Sequence, residues 1–162
     1  MANYRVIDLE TSIKNRGENA IGSNKASPFH SSNRICYYGD STGNIKATSL
    51  FDYYDYSDVK LLVGANIKFD LLYLMRYHDE VREWLKEGQI WDIQLAEYLL
   101  TAQQWLYPHL GDKRDKKTGK VTVQGMATKY GGVDKDSRLT EMWDNNVDTE
   151  DIDPDIILPY LK

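Results

Sequence analysis

The short unbroken run Leu61-Leu62-Val63-Gly64-Ala65 constrains the fold most. A run of this kind marks a strand covered on both faces, the position a central strand takes in a sheet with helices on either side. A helix follows it directly, with Leu71, Leu74, Met75 and His78 at i, i+3, i+4 and i+7. Upstream, Tyr4 to Glu10 reads as a strand built on Tyr4, Val6 and Ile7 with no breaker, and Ser12 to Asn33 as a long polar surface loop. Ile35 to Tyr38 and Ile45 to Leu50 read as strands joined through Asp40-Ser41-Thr42-Gly43-Asn44, a plausible hairpin loop. Downstream, a second helix is predicted over Glu80 to Glu87, stopped by Gly88 as a C′ glycine. A brief strand at Gln89 to Trp91 precedes Asp92, which sits where the N-cap of a helix over Ile93 to Leu100 belongs. Val123 to Tyr130 reads as a helix closed by Gly131-Gly132, and Asp153-Pro154 as a helix start. The expected fold class is therefore α/β, a mixed sheet with a three-strand antiparallel start, flanked by helices.

At 162 residues and 18.7 kDa the chain fits a single domain over 1–162. The net charge of −5 excludes a surface that grips nucleic acid by charge all over, and leaves room for a local strand-binding groove. Cys36 is the one cysteine, so an internal disulfide and a cysteine-based zinc site are both excluded. No apolar stretch approaches the roughly 18 residues of a membrane span, and the N-terminal segment lacks a signal-like apolar run. The expectation is a soluble, cytoplasmic protein of a bacterial or phage-infected cell.

The chemistry lies in acids. Asp8 and Glu10 are two apart on the opening strand, so both side chains leave one face. Paired acids on an apolar strand repel and resist burial unless something positive joins them, and a divalent cation with its taste for carboxylate oxygen is the natural partner. Asp70 follows the buried strand at the strand-to-helix junction, beyond the carboxyl end of the strand, where functional groups of α/β sheets gather. Asn66 lies four residues earlier. Tyr160 follows an acid-rich approach, Asp134 to Asp155 carrying nine acids against Lys135 and Arg138. Taken singly, Asp8 and Glu10 also suit a strand end in solvent, Asp70 a helix cap, and Tyr160 a core tyrosine. In this order they suggest acids converging on two divalent ions that clamp the attacking and leaving oxygens of a phosphodiester. His30, His78 and His109 are isolated and read as no metal ligand.

Along essentially its whole length the chain resembles the proofreading 3′–5′ exonuclease domain of family A DNA polymerases, phage versions above all. That domain belongs to the DEDD exonucleases of ribonuclease H-like fold, in the branch whose third motif carries Tyr. Val6-Ile7-Asp8-Leu9-Glu10-Thr11 resembles the first motif and Val63-Gly64-Ala65-Asn66-Ile67-Lys68-Phe69-Asp70 the second. Ile90 to Tyr98 resembles the strand and helix that follow, and Lys129-Tyr130-Gly131 a further landmark. Tyr160 fits the first position of the third motif, Tyr-x-x-x-Asp, whose Asp would fall two residues past Lys162. The expectation is thus a chain truncated, or excised from a longer polymerase or exonuclease, that folds but binds metal weakly and cuts poorly.

The resemblance implies two Mg²⁺ or Mn²⁺ ions held by Asp8, Glu10 and Asp70, with Asp8 bridging both. Tyr160 would orient the attacking water, and Thr11 and Asn66 would seat the terminal nucleotide, with Leu9 and Phe69 at the margin. The substrate would be a single-stranded or frayed DNA 3′ end, cut to nucleoside 5′-monophosphates, a polymerase domain being the partner in a longer chain. Phosphate contacts would fall to Lys14, Arg16 or the loop Gly111 to Lys120, whose net charge is +3, the alternative being a solvated loop that neutralises nearby acids. Two other readings share these residues: a ribonuclease D-like RNA trimmer, and a non-catalytic strand-binding scaffold.

Overall fold

The computed structural model describes residues 3–49, 52–102, 122–132 and 137–161. The loop Gly111 to Lys120 lies outside the described residues, as do His109 and Leu50. Five strands, β1 (Tyr4–Thr11), β2 (Ile35–Asp40), β3 (Ile45–Ala47), β4 (Leu61–Gly64) and β5 (Gln89–Asp92), form one sheet in the order β3-β2-β1-β4-β5. β1, β2 and β3 pair antiparallel, while β1, β4 and β5 run parallel. The chain is α/β with a mixed five-strand sheet flanked by helices, and its antiparallel start is the one expected.

β4 lies inside the sheet between β1 and β5, but only Leu62 and Gly64 are buried while Leu61 and Val63 are half-buried, so one face of the strand is covered more fully than the other and the apolar run overstates its burial. Ile7, Leu9 and Tyr38 of the sheet pack with Ile67, Leu71, Tyr73 and Leu74 of α1 (Ile67–Tyr77) and with Val81 of α2 (Asp79–Trp84). A second core joins Cys36 and Tyr37 to Leu139 of α5 (Ser137–Asp144), Ile157 of α6 (Pro154–Ile157) and Leu161 of the last 3₁₀ turn (Leu158–Leu161). α3 (Ile93–Leu100) and α4 (Val123–Tyr130) meet through Glu97, which accepts from Tyr130 Oη at 2.7 Å and pairs with Lys129. Among the described residues no helix is long and apolar enough to cross a membrane.

Caps fall where the sequence puts them. Asp92 accepts from the amides of Gln94 and Leu95, Asp153 accepts from Asp155 N ahead of Pro154, and Gly131 closes α4 at φ 74°. Gly88 departs from expectation: the helix stops at Trp84, and Gly88 is absent from the left-handed positions. Its role is clearance, since a β carbon there would lie 2.4 Å from the Trp84 indole. α1 likewise ends at Tyr77, and His78 is an extended, buried connector whose ring meets Tyr54 edge-on at 4.6 Å.

Candidate active site

β1 is eight residues long, and β4 pairs with it only as far as Val6 opposite Val63. The C-terminal half of β1 thus runs on past its parallel neighbour, and Asp8 and Glu10 stand on that half. Strand alternation sends Ile7 and Leu9 into the core under α1, and Asp8 and Glu10 to the other face. Asp8 is exposed and Glu10 half-buried.

Asp70 arrives from the first turn of α1, the helix that begins just after β4 ends. It is 4% exposed. Burial, then the Asp8 carboxylate, hold its carboxyl well above the usual carboxylate range, Glu10 adding to the effect. The backbone amides of Leu9 and of Asp70 itself work the other way, favouring the ionised form. The three acids therefore share one electrostatic neighbourhood at the end of β1. They do not close to the mutual 4.8 Å spacing of a compact ligand group.

Asn66 takes the left-handed conformation at φ 54° as α1 begins, and its amide donates to Asp92 Oδ1 at 3.2 Å. Asp92 thereby ties the Asn66 turn to the start of α3. Thr11 is buried, its hydroxyl bonded to Tyr73 and its carbonyl accepting from Thr149 Oγ1 at 2.7 Å. Tyr160 is half-buried, its ring edge-on to Trp143 at 6.1 Å. The turn that carries Tyr160 packs on the acidic face, because Leu161 rests against Gly39 and Gly39 stands opposite Asp8 in the sheet.

A cleft of about 390 Å³ opens beside Glu10, bounded by Leu9, Thr11, Phe69, Lys25, Trp143 and Asp144 among others. Phe69 and Leu9 were expected at its margin; Lys25 and Trp143 were not. A cavity of about 510 Å³ lies at the N-terminal ends of β4 and β5, against Lys60, Trp84 and Gln89. It holds none of the sequence-predicted residues.

The basic residues after the first motif are engaged within the chain. Lys14 Nζ lies 2.7 Å from Glu150, and Arg16 lies 3.8 Å from Asp148 while donating to Asn146 O at 3.0 Å. Both stand beside acids of the 134–155 run, which matches the acid-neutralising alternative to phosphate contact. Cys36, Asp148 and Glu150 form a buried group whose ligand atoms lie within 4.8 Å of one another and could hold a metal ion. Its charge is already balanced: Arg34 Nε lies 2.9 Å from Glu150, which Arg34 and Lys14 hold at a pKa of about 2. Burial pushes the Cys36 thiol up to about 12, and a protonated thiol is a poor ligand. Asp70 has the opposite character, a buried carboxyl whose largest charged influence is another acid, Asp8.

No protein family, curated protein or solved structure matches the chain.

Proposed function

We propose that the chain is a 3′–5′ exonuclease of the proofreading type, acting on single-stranded or frayed DNA ends with two divalent cations. One observation carries the reading. Asp8 and Glu10 leave one face of β1 beyond the end of β4, and Asp70 is brought buried to the same place by α1. The donors are all carboxylate oxygens, which suit Mg²⁺ or Mn²⁺. A buried acid facing a second acid is a charge arrangement that a cation relieves. Two such ions, when bound, would stabilise the attacking and leaving oxygens of a phosphodiester.

The chain's own residues supply the rest. Asp8, Glu10 and Asp70 hold the cations. The Tyr160 phenol, on the turn packed over the acidic face, orients the water for attack on the terminal phosphodiester. Phe69 and Trp143 offer ring surfaces on which a terminal base stacks without sequence preference. An unpaired end enters most cheaply, because a mismatch has already lost its pairing energy.

The test is hydrolysis of 5′-labelled DNA and RNA single strands with Mn²⁺, comparing the wild type with Asp8→Asn, Glu10→Gln and Asp70→Asn. Stepwise shortening from the 3′ end with release of nucleoside 5′-monophosphates is expected, lowered at least about a hundredfold in each variant. Preferential cutting of RNA would favour the ribonuclease D-like reading. Absence of both cutting and any Mn²⁺-dependent rise in melting temperature would favour the scaffold reading.

A further inference from the structure

The segment Ser12 to Asn33 is 22 residues of Gly, Ser and Asn-rich chain, yet it is fastened like a core element. Asn33 is fully buried and spans its two legs. Its Oδ1 accepts from Lys14 N at 2.7 Å and Ser12 Oγ at 3.3 Å, and its Nδ2 donates to Lys25 O at 2.9 Å and Ser27 O at 3.0 Å. Asn15, also buried, donates its amide to Lys25 O at 3.0 Å and its Nδ2 to Asn24 O at 2.7 Å. Arg76 of α1 holds the carbonyls of Pro28 and His30, each at 3.0 Å, and Tyr73 Oη donates to Ala26 O at 3.0 Å. The carbonyl of Lys25 thus takes two hydrogen bonds, and its backbone has little freedom.

Its side chain lines the cleft beside Glu10, Phe69 and Trp143, and is the one basic side chain in the described lining. Lys25 Nζ sits 3.4 Å from Trp143 O. Among the described residues Lys25 has no carboxylate at ion-pairing distance, whereas Lys14, Arg16 and Arg34 each have one. Half-buried on a fastened backbone and held by a carbonyl rather than a carboxylate, the ammonium keeps its charge for an anion that enters the cleft.

We infer that Lys25 takes a phosphate of the bound single strand and that Asn33 is the positioning residue that fixes Lys25 at the cleft. The inference rests on the nuclease reading for the identity of the strand. Its chemistry is narrower: one point charge for the phosphate backbone, two aromatic faces for bases, and a prebuilt loop that need not be ordered on binding. Rigid delivery of this kind spares the ordering cost that a polar loop would otherwise meet.

The experiment measures binding of a fluorescently labelled single-stranded DNA oligomer by anisotropy, with EDTA present so that the strand is not cut. Lys25→Ala should weaken binding about five- to tenfold at low salt and reduce the salt slope by about 0.7. Lys25→Arg should keep both. Asn33→Asp retains the acceptor and loses the two donors, and should weaken binding about as much as Lys25→Ala. Binding by Lys25→Ala equal to wild type at every salt concentration overturns the inference, even where Asp70→Asn abolishes cutting. Hydrolysis undiminished in Asp70→Asn, with binding still sensitive to Lys25→Ala, leaves the inference standing and removes the nuclease reading.

Discussion

Gly39 and Leu161 meet so closely that a β carbon on Gly39 would lie 3.1 Å from both the Cβ and the carbonyl oxygen of Leu161. Gly39 pairs with Asp8 across the sheet, so this contact seats the turn bearing Tyr160 against the strand bearing the acids. Gly39→Ala should cost about 1–2 kcal/mol through overpacking against a backbone atom that has no rotamer to change. Displacement of the turn should also lower hydrolysis about tenfold or more. Thermal melting and rate on a single-stranded substrate check the two effects; a variant as active as wild type would separate Tyr160 from the chemistry.

Asp70→Asn is expected to move stability and activity in opposite directions. The amide keeps an acceptor for the Leu9 amide and removes a carboxyl whose ionisation burial and then Asp8 oppose. Without divalent cations the variant should melt higher by about 1 kcal/mol, or about 3 °C. With Mn²⁺ the order should reverse, because the wild type gains from binding and the variant does not. Differential scanning calorimetry with and without the metal reads both.

Glu150 sets a pH signature. Its folded pKa is depressed from 4.5 to about 2, through hydrogen bonds from Arg34 above all and then Lys14. A depressed pKa contributes stability that is present above the unfolded value and lost as pH falls through the folded one. Glu150→Gln should therefore lower stability by about 1 kcal/mol at neutral pH. The deficit should shrink as pH falls from 4.5 toward 2, where both forms are uncharged. Urea unfolding across that range provides the measurement; a deficit independent of pH would assign the loss to packing.

Gly88→Ala separates stability from chemistry. The added carbon would meet the Trp84 ring at 2.4 Å, and that ring is tied down by Nε1 donating to Val59 O at 2.8 Å. A cost of about 1–3 kcal/mol is expected. Hydrolysis per folded molecule should not change, since Trp84 lines the cavity at the other end of β4 and β5. Denaturant midpoints and rates normalised to active protein test both parts.

Much of the frame was readable in advance because it rests on local chemistry. The strand at Leu61, the Asp92 and Asp153 caps and the left-handed Gly131 each depend on neighbours within a few residues. The acids were readable too, since alternation alone puts Asp8 and Glu10 on one face. What escaped was made by distance along the chain. Lys25 and Trp143 border one cleft from positions 118 residues apart, and neither shows a motif. Lys14 and Arg16 look available to phosphate until the fold sets Glu150 and Asp148 beside them. Gly88 ends a helical pattern, which reads as a cap, but its reason is a tryptophan four residues back.

α1 carries Asp70 near its start and Arg76 near its end, so one rod bears both the buried acid and the clamp on the Ser12–Asn33 loop. Six residues of helix separate them by about 9 Å along the axis. On the proposed nuclease reading, the helix would act as a ruler between the acids and the wall of the cleft. A slip of α1 carries both together, and damage anywhere along its packed side should impair capture and cleavage in the same proportion.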